Sequence, residues 1–377
     1  MKRLVVFPND PVKDYYQKGE IKPRYFNPGE YFDEIHIVSL CDGEIGEDKV
    51  QELAGKAELK IYPVGSFSLK RPWTFWRLRQ NVLKLVSSID PHVIRASNPK
   101  LAGYLAAFCG KKLEIPSVVS LHSNPDELRT LRVDTTLAKK VLEFVSKRFF
   151  EPYSISNATR TICVSQFLTS YAARNGAGNV EVIYNRVYGS QFYTQRNHGQ
   201  MNSRPRILSV GRLDLPKNQE CLIRAVQNLD AQLILIGNGT RYDYLRKLTA
   251  DLAISEKVTF IRSVPHSEIQ RYYWEADVFA MSSFSEGFCI PVLEAMASAL
   301  PVVVNNKEPL PEVLGGTGIV IENTPKAFER AFQQLITSSE LRGGLGEKAR
   351  KRAEELDGEI MEEKEAQLYR TLVGARG

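Results

Sequence analysis

Two carboxylates and two cations stand out in this chain as groups able to do chemistry. In "SFSEGFCIPVLEAMASALPVVV", residues 283–304, Glu286 and Glu294 lie eight positions apart with a glycine and a proline between them. That spacing does not put them on one helix face. The stretch parses as a strand "DVFAMSS", a loop "FSEGF" in which Gly287 permits a tight turn, and a helix "PVLEAMASA" opened by Pro291. Glu286 is then expected in the loop and Glu294 in the first helical turn, whose free N–H groups form an anion site. Carboxylates beside an anion site accept hydrogen bonds from hydroxyls. Hydroxyls together with a phosphate describe a sugar nucleotide. The competing reading is one carboxylate in solvent and one partner of the helix dipole.

The cations stand in "SVGRLDLPKNQECLIRA", where Arg212 and Lys217 follow a strand and precede a helix. A bidentate guanidinium and a point-charge ammonium five residues apart suit a diphosphate, although alone they read more readily as ordinary loop cations. A third segment, "LILIGNGTRYDYL", sets Gly237 and Gly239 after a strand. It lacks the third glycine of a dinucleotide fingerprint, which disfavours a Rossmann oxidoreductase, but small residues there allow a backbone close to a ligand. The chain contains no D-x-D sequence. A metal-dependent transfer of the kind that uses that motif is therefore not expected, and no metal or cofactor is.

Alternating strands and helices must position these groups. "RLVVFP", "EIHIVSL", "ELKIYPV", "HVIRAS", "PSVVSLH" and "TICVS" read as strands of the first half, and "RILSVG", "QLILIG", "KVTFI", "DVFAMS", "PVVVNN" and "TGIVIE" as strands of the second. Most are continuous apolar runs, the mark of strands buried on both faces of a parallel sheet. Helical stretches such as "TFWRLRQNVLKLVSSI", "NQECLIRAVQNL" and "YDYLRKLTADLAI" intervene, so the fold class is doubly wound α/β. The rhythm breaks in polar residues 184–205. The expected plan is a first domain over 1–190, a linker over 191–205, a second domain over 206–357, and a C-terminal helix over 358–377 that packs back on the first domain. Two such domains would face each other across a cleft at the C-terminal ends of their strands.

Taken in order, these segments resemble the retaining glycosyltransferases of family 4, which have the GT-B fold of two facing Rossmann-like domains. "EGFCIPVLEAMASALPVVV" is similar to that family's E-x7-E block, and "VGRL...K" to its phosphate-binding block. "VTFIRSVPHSEIQRYYWEADVFAMSS" resembles the stretch that precedes the carboxylates. The first half is less similar, through "DPHVIRASNP", "SVVSLHS" and "TICVSQFLTSYAARNG". The resemblance implies transfer of a hexose-type sugar from a nucleoside-diphosphate sugar to a glycan or lipid-linked acceptor, in polysaccharide, lipopolysaccharide or glycolipid synthesis. It implies that Glu294 holds the donor ribose. Glu286 would face the donor sugar, with the N–H groups of Phe288 and Cys289 on the sugar hydroxyls. Arg212 and Lys217 would neutralise the leaving diphosphate, and His122 would face the reacting side of the sugar. Cys289 and Ala299 stand where the family usually has glycine. Arg262 replaces a common glycine near the expected base pocket. The family's N-terminal glycine-rich loop is faintly matched by "QKGEIKPR", which makes Lys18 and Gly19 candidates for a phosphate or acceptor contact. A scaffold of the same fold that binds a sugar nucleotide without turnover is the alternative.

Composition bounds the rest. Of 377 residues 43% are hydrophobic, as in a globular protein, and no apolar run approaches a membrane span. Five scattered cysteines form neither a zinc set nor a C-x-x-C pair, so free thiols in a reducing cytosol are expected. The first 200 residues carry 28 Lys+Arg against 20 Asp+Glu, a net +8, and the remainder 22 against 24, a net −2. Residues 60–112 hold ten basic side chains and one acid, Asp90. Such a field attracts anions, or is simply a solvated face. No nucleic-acid-binding module accompanies it, and the acidic second half argues against one. "SLKRPWTFWRLRQ" would dock on an anionic membrane surface through Trp73, Phe75 and Trp76, making the protein peripheral at the inner face of the cytoplasmic membrane. Alternatively its aromatics pack in the first domain's core.

Overall fold

The computed structural model describes residues 1–68, 71–131, 136–193 and 201–374. Lys70 of the basic run and residues 194–200 of the expected linker lie outside that set. The chain divides into two compact units. The first comprises Met1–Ser123, Arg132–Tyr184 and Met361–Gly377, and the second Asn124–Leu131 and Asn185–Ile360.

The first unit is built on a seven-stranded parallel sheet. Its strands are β1 (Arg3–Phe7), β2 (Glu34–Ser39), β3 (Glu58–Pro63), β4 (Val93–Ala96), β5 (Ser117–Leu121), β6 (Arg160–Cys163) and β7 (Val180–Val182), in the spatial order β3-β2-β1-β4-β5-β6-β7. Successive side chains of a strand point to opposite faces. Accordingly Leu4 and Val6 of β1 enter one core cluster, while Val5 and Phe7 enter another. A strand covered on both sides has no polar face to show, which is why its sequence is unbroken in apolar residues. The C-terminal helix Gly358–Gly374 supplies Met361, Leu368, Tyr369 and Leu372 to the first cluster. Arg95, at the centre of the sheet, is buried and ion-paired with Glu365 of that helix, and Arg24 pairs with Glu362 at 3.4 Å.

The second unit repeats the scheme with six strands, β8 (Arg206–Val210), β9 (Gln232–Ile236), β10 (Val258–Ile261), β11 (Val278–Met281), β12 (Val302–Asn305) and β13 (Ile319–Ile321), in the order β10-β9-β8-β11-β12-β13. All pairings are parallel. Residues 185–193, ahead of the described gap, pack here: the Trp274 indole N–H donates to the Phe192 carbonyl at 2.8 Å, and Gly189 N–H donates to Asp357 at 2.9 Å.

The twelve strands read from the sequence are present, and β7 is an addition. It has three half-buried residues at a sheet edge, too few for a pattern. The basic field is thinner than its count. Besides Arg95, Lys60 bridges Glu58 and Glu34, and Lys100 pairs with Glu143 at 3.2 Å. The helix Trp73–Ile89 divides its aromatics: Phe75 packs among Phe67, Tyr104 and Phe150, whereas Trp73 and Trp76 are exposed. All five cysteines are free thiols. Burial pushes those of Cys109, Cys163 and Cys221 up to about 12. Among the described residues no helix is long and apolar enough to cross a membrane.

Candidate functional site

In the second unit the strand order reverses between β8 and β11, and loops leaving that point carry ligands in open α/β sheets. The loop after β8 runs through Arg212 to Lys217, and the loop after β11 holds Ser282, Ser283 and Glu286. Backbone and side-chain bonds knit the two together. Phe284 N–H donates to the Pro216 carbonyl at 2.7 Å, and the Ser282 hydroxyl donates to the Asn218 carbonyl at 2.8 Å. From the ends of β12 and β13, Asn305 donates to the Ser283 carbonyl at 2.8 Å and Asn323 to the Ser282 carbonyl at 3.0 Å.

The outcome is a close ion pair. Lys217 Nζ lies 2.5 Å from Glu286 Oε1, which also accepts a hydrogen bond from the Ser283 hydroxyl at 2.6 Å. Only 18% of the Lys217 side chain and 8% of the Glu286 side chain is exposed. Glu286 is therefore not a carboxylate in open solvent. Burial works to lower the Lys217 pKa, but the Glu286 charge and hydrogen bond, together with Cys289, outweigh it and hold the ammonium above its ordinary value. The charged pair is thus kept by mutual attraction in a place where either ion alone would be costly.

The second carboxylate departs from expectation in its place on the helix. That helix is Ile290–Ala297, so Glu294 falls in the second turn, not the first, and is buried. Its Oε2 accepts from the Tyr273 hydroxyl at 2.6 Å. Burial, then the Glu294 charge, pushes the Tyr273 phenol well up, so it stays a neutral donor. Between the carboxylates sits Cys289, buried, with its backbone left-handed at φ 75°. Its thiol is pushed well up, first by burial and next by Glu286, and it also feels Lys217 and Glu294. Phe288 is buried beside it. The other departure from the resembling pattern, Ala299, also has positive φ, 56°. The two substitutions look slight by volume, but they place Cβ atoms where the backbone favours glycine.

Arg212 does not join the buried pair. Its side chain is 74% exposed and pairs with Asp214 at 3.2 Å, near enough to Lys217 for their like charges to be felt. Gly237, at φ 143°, has its space filled by protein: a Cβ there would meet the Gly211 carbonyl oxygen at 2.0 Å. A Cβ at Gly239 would meet the Leu213 carbonyl at 2.5 Å. These glycines let the loops after β8 and β9 touch, through Leu213 N–H donating to the Asn238 carbonyl at 2.9 Å and Arg241 N–H donating to the Leu213 carbonyl at 2.8 Å. Arg262 follows β10 and is exposed, its guanidinium 3.9 Å above the ring of Tyr242. Gly287 is buried in the β11 loop.

The remaining candidates belong to the first unit. His122 is half-buried immediately after β5, and Lys18 and Gly19 (φ 66°) form an exposed turn after the helix Val12–Gln17. Sequence reasoning missed Ser283, Asn218, Asn305, Asn323 and Tyr273. Four of them are polar residues at strand ends or in the loops that follow, a signal present but diffuse. Tyr273 sits in an ordinary amphipathic helix, and only folding brings it to Glu294.

Two family models match the chain. "Glycosyltransferase Family 4" covers residues 33–187, and "Glycosyl transferases group 1" covers residues 192–352. The chain is 26% identical to the uncharacterized glycosyltransferase MJ1178 of Methanocaldococcus jannaschii, over 83% of each protein. It is 25% identical to sulfoquinovosyl transferase SQD2 of Arabidopsis thaliana, over 74% of this chain and 56% of that one. Among solved structures, sucrose-phosphate synthase from Thermosynechococcus elongatus superposes with a TM-score of 0.77 at 18% identity, covering 99% of this chain and 100% of that one. Anabaena HepE in complex with UDP gives 0.74 at 16% identity, covering 98% and 100%.

Proposed function

Because the chain belongs to the GT-B glycosyltransferases of the family 4 type, we propose that it moves a hexose-type sugar, with retention of configuration, from a nucleoside-diphosphate sugar to a glycan or lipid-linked acceptor. The setting is cell-surface polysaccharide, lipopolysaccharide or glycolipid synthesis, in the cytoplasm at the inner face of the membrane. The observation that carries the reading is the Lys217–Glu286 pair at the reversal of the strand order, with Glu294 in the second turn of the helix that follows.

In the reaction the bond from the sugar's anomeric carbon to the β-phosphate oxygen breaks, and its electron pair stays on phosphate. The acceptor hydroxyl oxygen forms the new bond on the same face of the sugar and passes its proton to the departing β-phosphate oxygen. The anomeric centre passes through an oxocarbenium-like state. Negative charge grows on the leaving diphosphate, where Lys217 and Arg212 neutralise it. Glu286 accepts from the sugar hydroxyls and Glu294 from the ribose. Phe288 and Cys289 offer their N–H groups to the sugar, and His122 lines its reacting face. Arg262 and Tyr242 border the base. The two cations supply the charge that a metal would otherwise bring. UDP-sugars are the first donors to try, since HepE was crystallised with UDP.

The test is a panel of nucleotide sugars screened for thermal stabilisation, followed by a transfer assay with the stabilising donor and anomeric analysis of the product. Stabilisation, turnover and retention are expected, with turnover unchanged in excess chelator. No stabilising sugar nucleotide, or an inverted product, refutes the reading. Stabilisation without transfer or donor hydrolysis favours a non-catalytic scaffold.

A further inference from the structure

The helix beginning at Leu137 passes through a π-turn at Ser146–Phe150 and continues as Glu151–Asn157. Its halves have opposite surroundings. The later half buries Glu151, Ser154 and Ile155, and Ser154 packs on Gly103 of the helix Leu101–Leu113. The earlier half, Leu137–Val145, buries no residue. Yet its pattern is that of a helix with something to cover. Leu137, Val141, Phe144 and Val145 fall on one stripe, and Lys139, Lys140, Glu143 and Lys147 on the other. The apolar stripe faces water, with Leu137 78% and Phe144 66% exposed.

The stripe does not stand alone. It borders an aromatic depression of about 440 Å³ that runs from Trp76 to Phe149 over Phe75, Tyr104 and Phe150. Trp73, Trp76 and Phe149 are also exposed around it. A contiguous apolar surface of this kind on a folded unit marks an interaction site. Charge selects the partner. Arg77, Lys139, Lys140, Lys147 and Arg148 are exposed about the patch. The single acid between Thr136 and Phe150, Glu143, is taken up by Lys100 at 3.2 Å. A second copy of the same face would set cations against cations, which disfavours self-association through it. Tryptophans at the edge of an apolar stripe flanked by lysines fit the headgroup boundary of a bilayer.

We propose that this face, formed by Leu137–Phe149 together with Trp73 and Trp76, seats the protein on an anionic lipid leaflet. The proposal gives the lipid-linked acceptor of the reading above a place from which to be reached, but docking needs neither donor nor acceptor and is tested without them. Full-length protein is sedimented with phosphatidylcholine vesicles, with and without phosphatidylglycerol, while the emission of its three tryptophans, Trp73, Trp76 and Trp274, is followed. Binding is expected only to the anionic vesicles, with a blue shift, and it weakens with salt. Leu137→Ser/Phe144→Ser and Lys139→Glu/Lys140→Glu are each expected to reduce binding at least about tenfold, the first by removing apolar surface from the interface and the second by reversing two charges that face the anionic lipid. Donor hydrolysis should be unchanged in both variants, which separates failure of docking from failure of the transferase reading. Equal binding to neutral vesicles, unaltered binding by both variants, no binding by the wild type, or a concentration-dependent dimer abolished by Leu137→Ser/Phe144→Ser overturns the proposal. The last outcome would assign the face to a second copy.

Discussion

Replacing Lys217 with methionine tests the ion pair directly. The change keeps most of the aliphatic stem and removes the ammonium. It leaves Glu286 a desolvated carboxylate with the Ser283 hydroxyl as its remaining described donor. Breaking a buried pair from one side costs about 3–5 kcal/mol. Both side chains retain a little solvent access, 18% and 8%, which argues for the lower end, about 3 kcal/mol. For a unit of this size that lowers Tm by about 6–12 °C. Glu286→Gln should cost a similar amount, about 3 kcal/mol, because the amide oxygen still accepts from Lys217 and Ser283 but the buried ammonium loses its countercharge. The double variant strands neither ion, so it should lie about 1 kcal/mol below wild type and not about 6. Thermal melts of the four proteins close the cycle, and all three variants should lose transfer about a hundredfold or more. A Lys217→Met protein that melts with the wild type, or a double variant whose loss equals the sum of the singles, refutes the argument.

Arg212→Ala should separate stability from activity: with its side chain in solvent, stability should move by less than about 0.5 kcal/mol, while turnover falls on the order of a hundredfold. An active variant would remove Arg212 from the mechanism. The pair also has a pH signature. Because the folded state holds the Lys217 pKa above its ordinary 10.5, its stabilisation is complete below about pH 10.5 and drains away as pH rises through the folded value. The stability gap between wild type and Lys217→Met should therefore narrow in alkali, and a widening gap contradicts the sign. Glu286→Gln should tighten binding of UDP itself by about threefold to tenfold, since one charge fewer then opposes the diphosphate and competes for Lys217. Calorimetry showing weaker binding would reverse that assignment.

Strands were the most legible feature. "RLVVFP" and "DVFAMS" announce themselves because a strand covered on both faces must be apolar throughout, and both became central strands. The site was legible by residue type more than by geometry. Glu286 and Lys217 are 69 positions apart, and nothing local says that the loops carrying them meet. What brings them together is the parallel pairing of β8 and β11, which sets both loops at one edge. Glu294 was misplaced by one residue, enough to carry it from the first turn to the second, because Pro291 was read as the first residue of a helix that starts at Ile290 behind a left-handed Cys289. Gly237 and Gly239 were read as room for a ligand. That room is filled by Gly211 and Leu213, a contact between distant loops that single-segment reasoning does not reach.

The positions of strain follow the same logic. Cys289 and Ala299 flank the helix that carries Glu294, and both hold left-handed backbone that costs an L-residue about 1–2 kcal/mol. Cys289 turns the chain between the two carboxylates, so its conformation fixes where Glu286 lies relative to Glu294. Ala299 ends the helix at a point where the neighbouring helix comes so close that a Cβ on Gly346 would meet the Ala299 carbonyl at 2.1 Å. Packing against Gly346 holds the second corner, and the Lys217–Glu286 and Tyr273–Glu294 bonds hold the groups about the first. Strain of this size persists only where surrounding contacts over-determine it. In this segment those contacts run to the carboxylates themselves, so the groups that keep the corner in place are those the reaction would use.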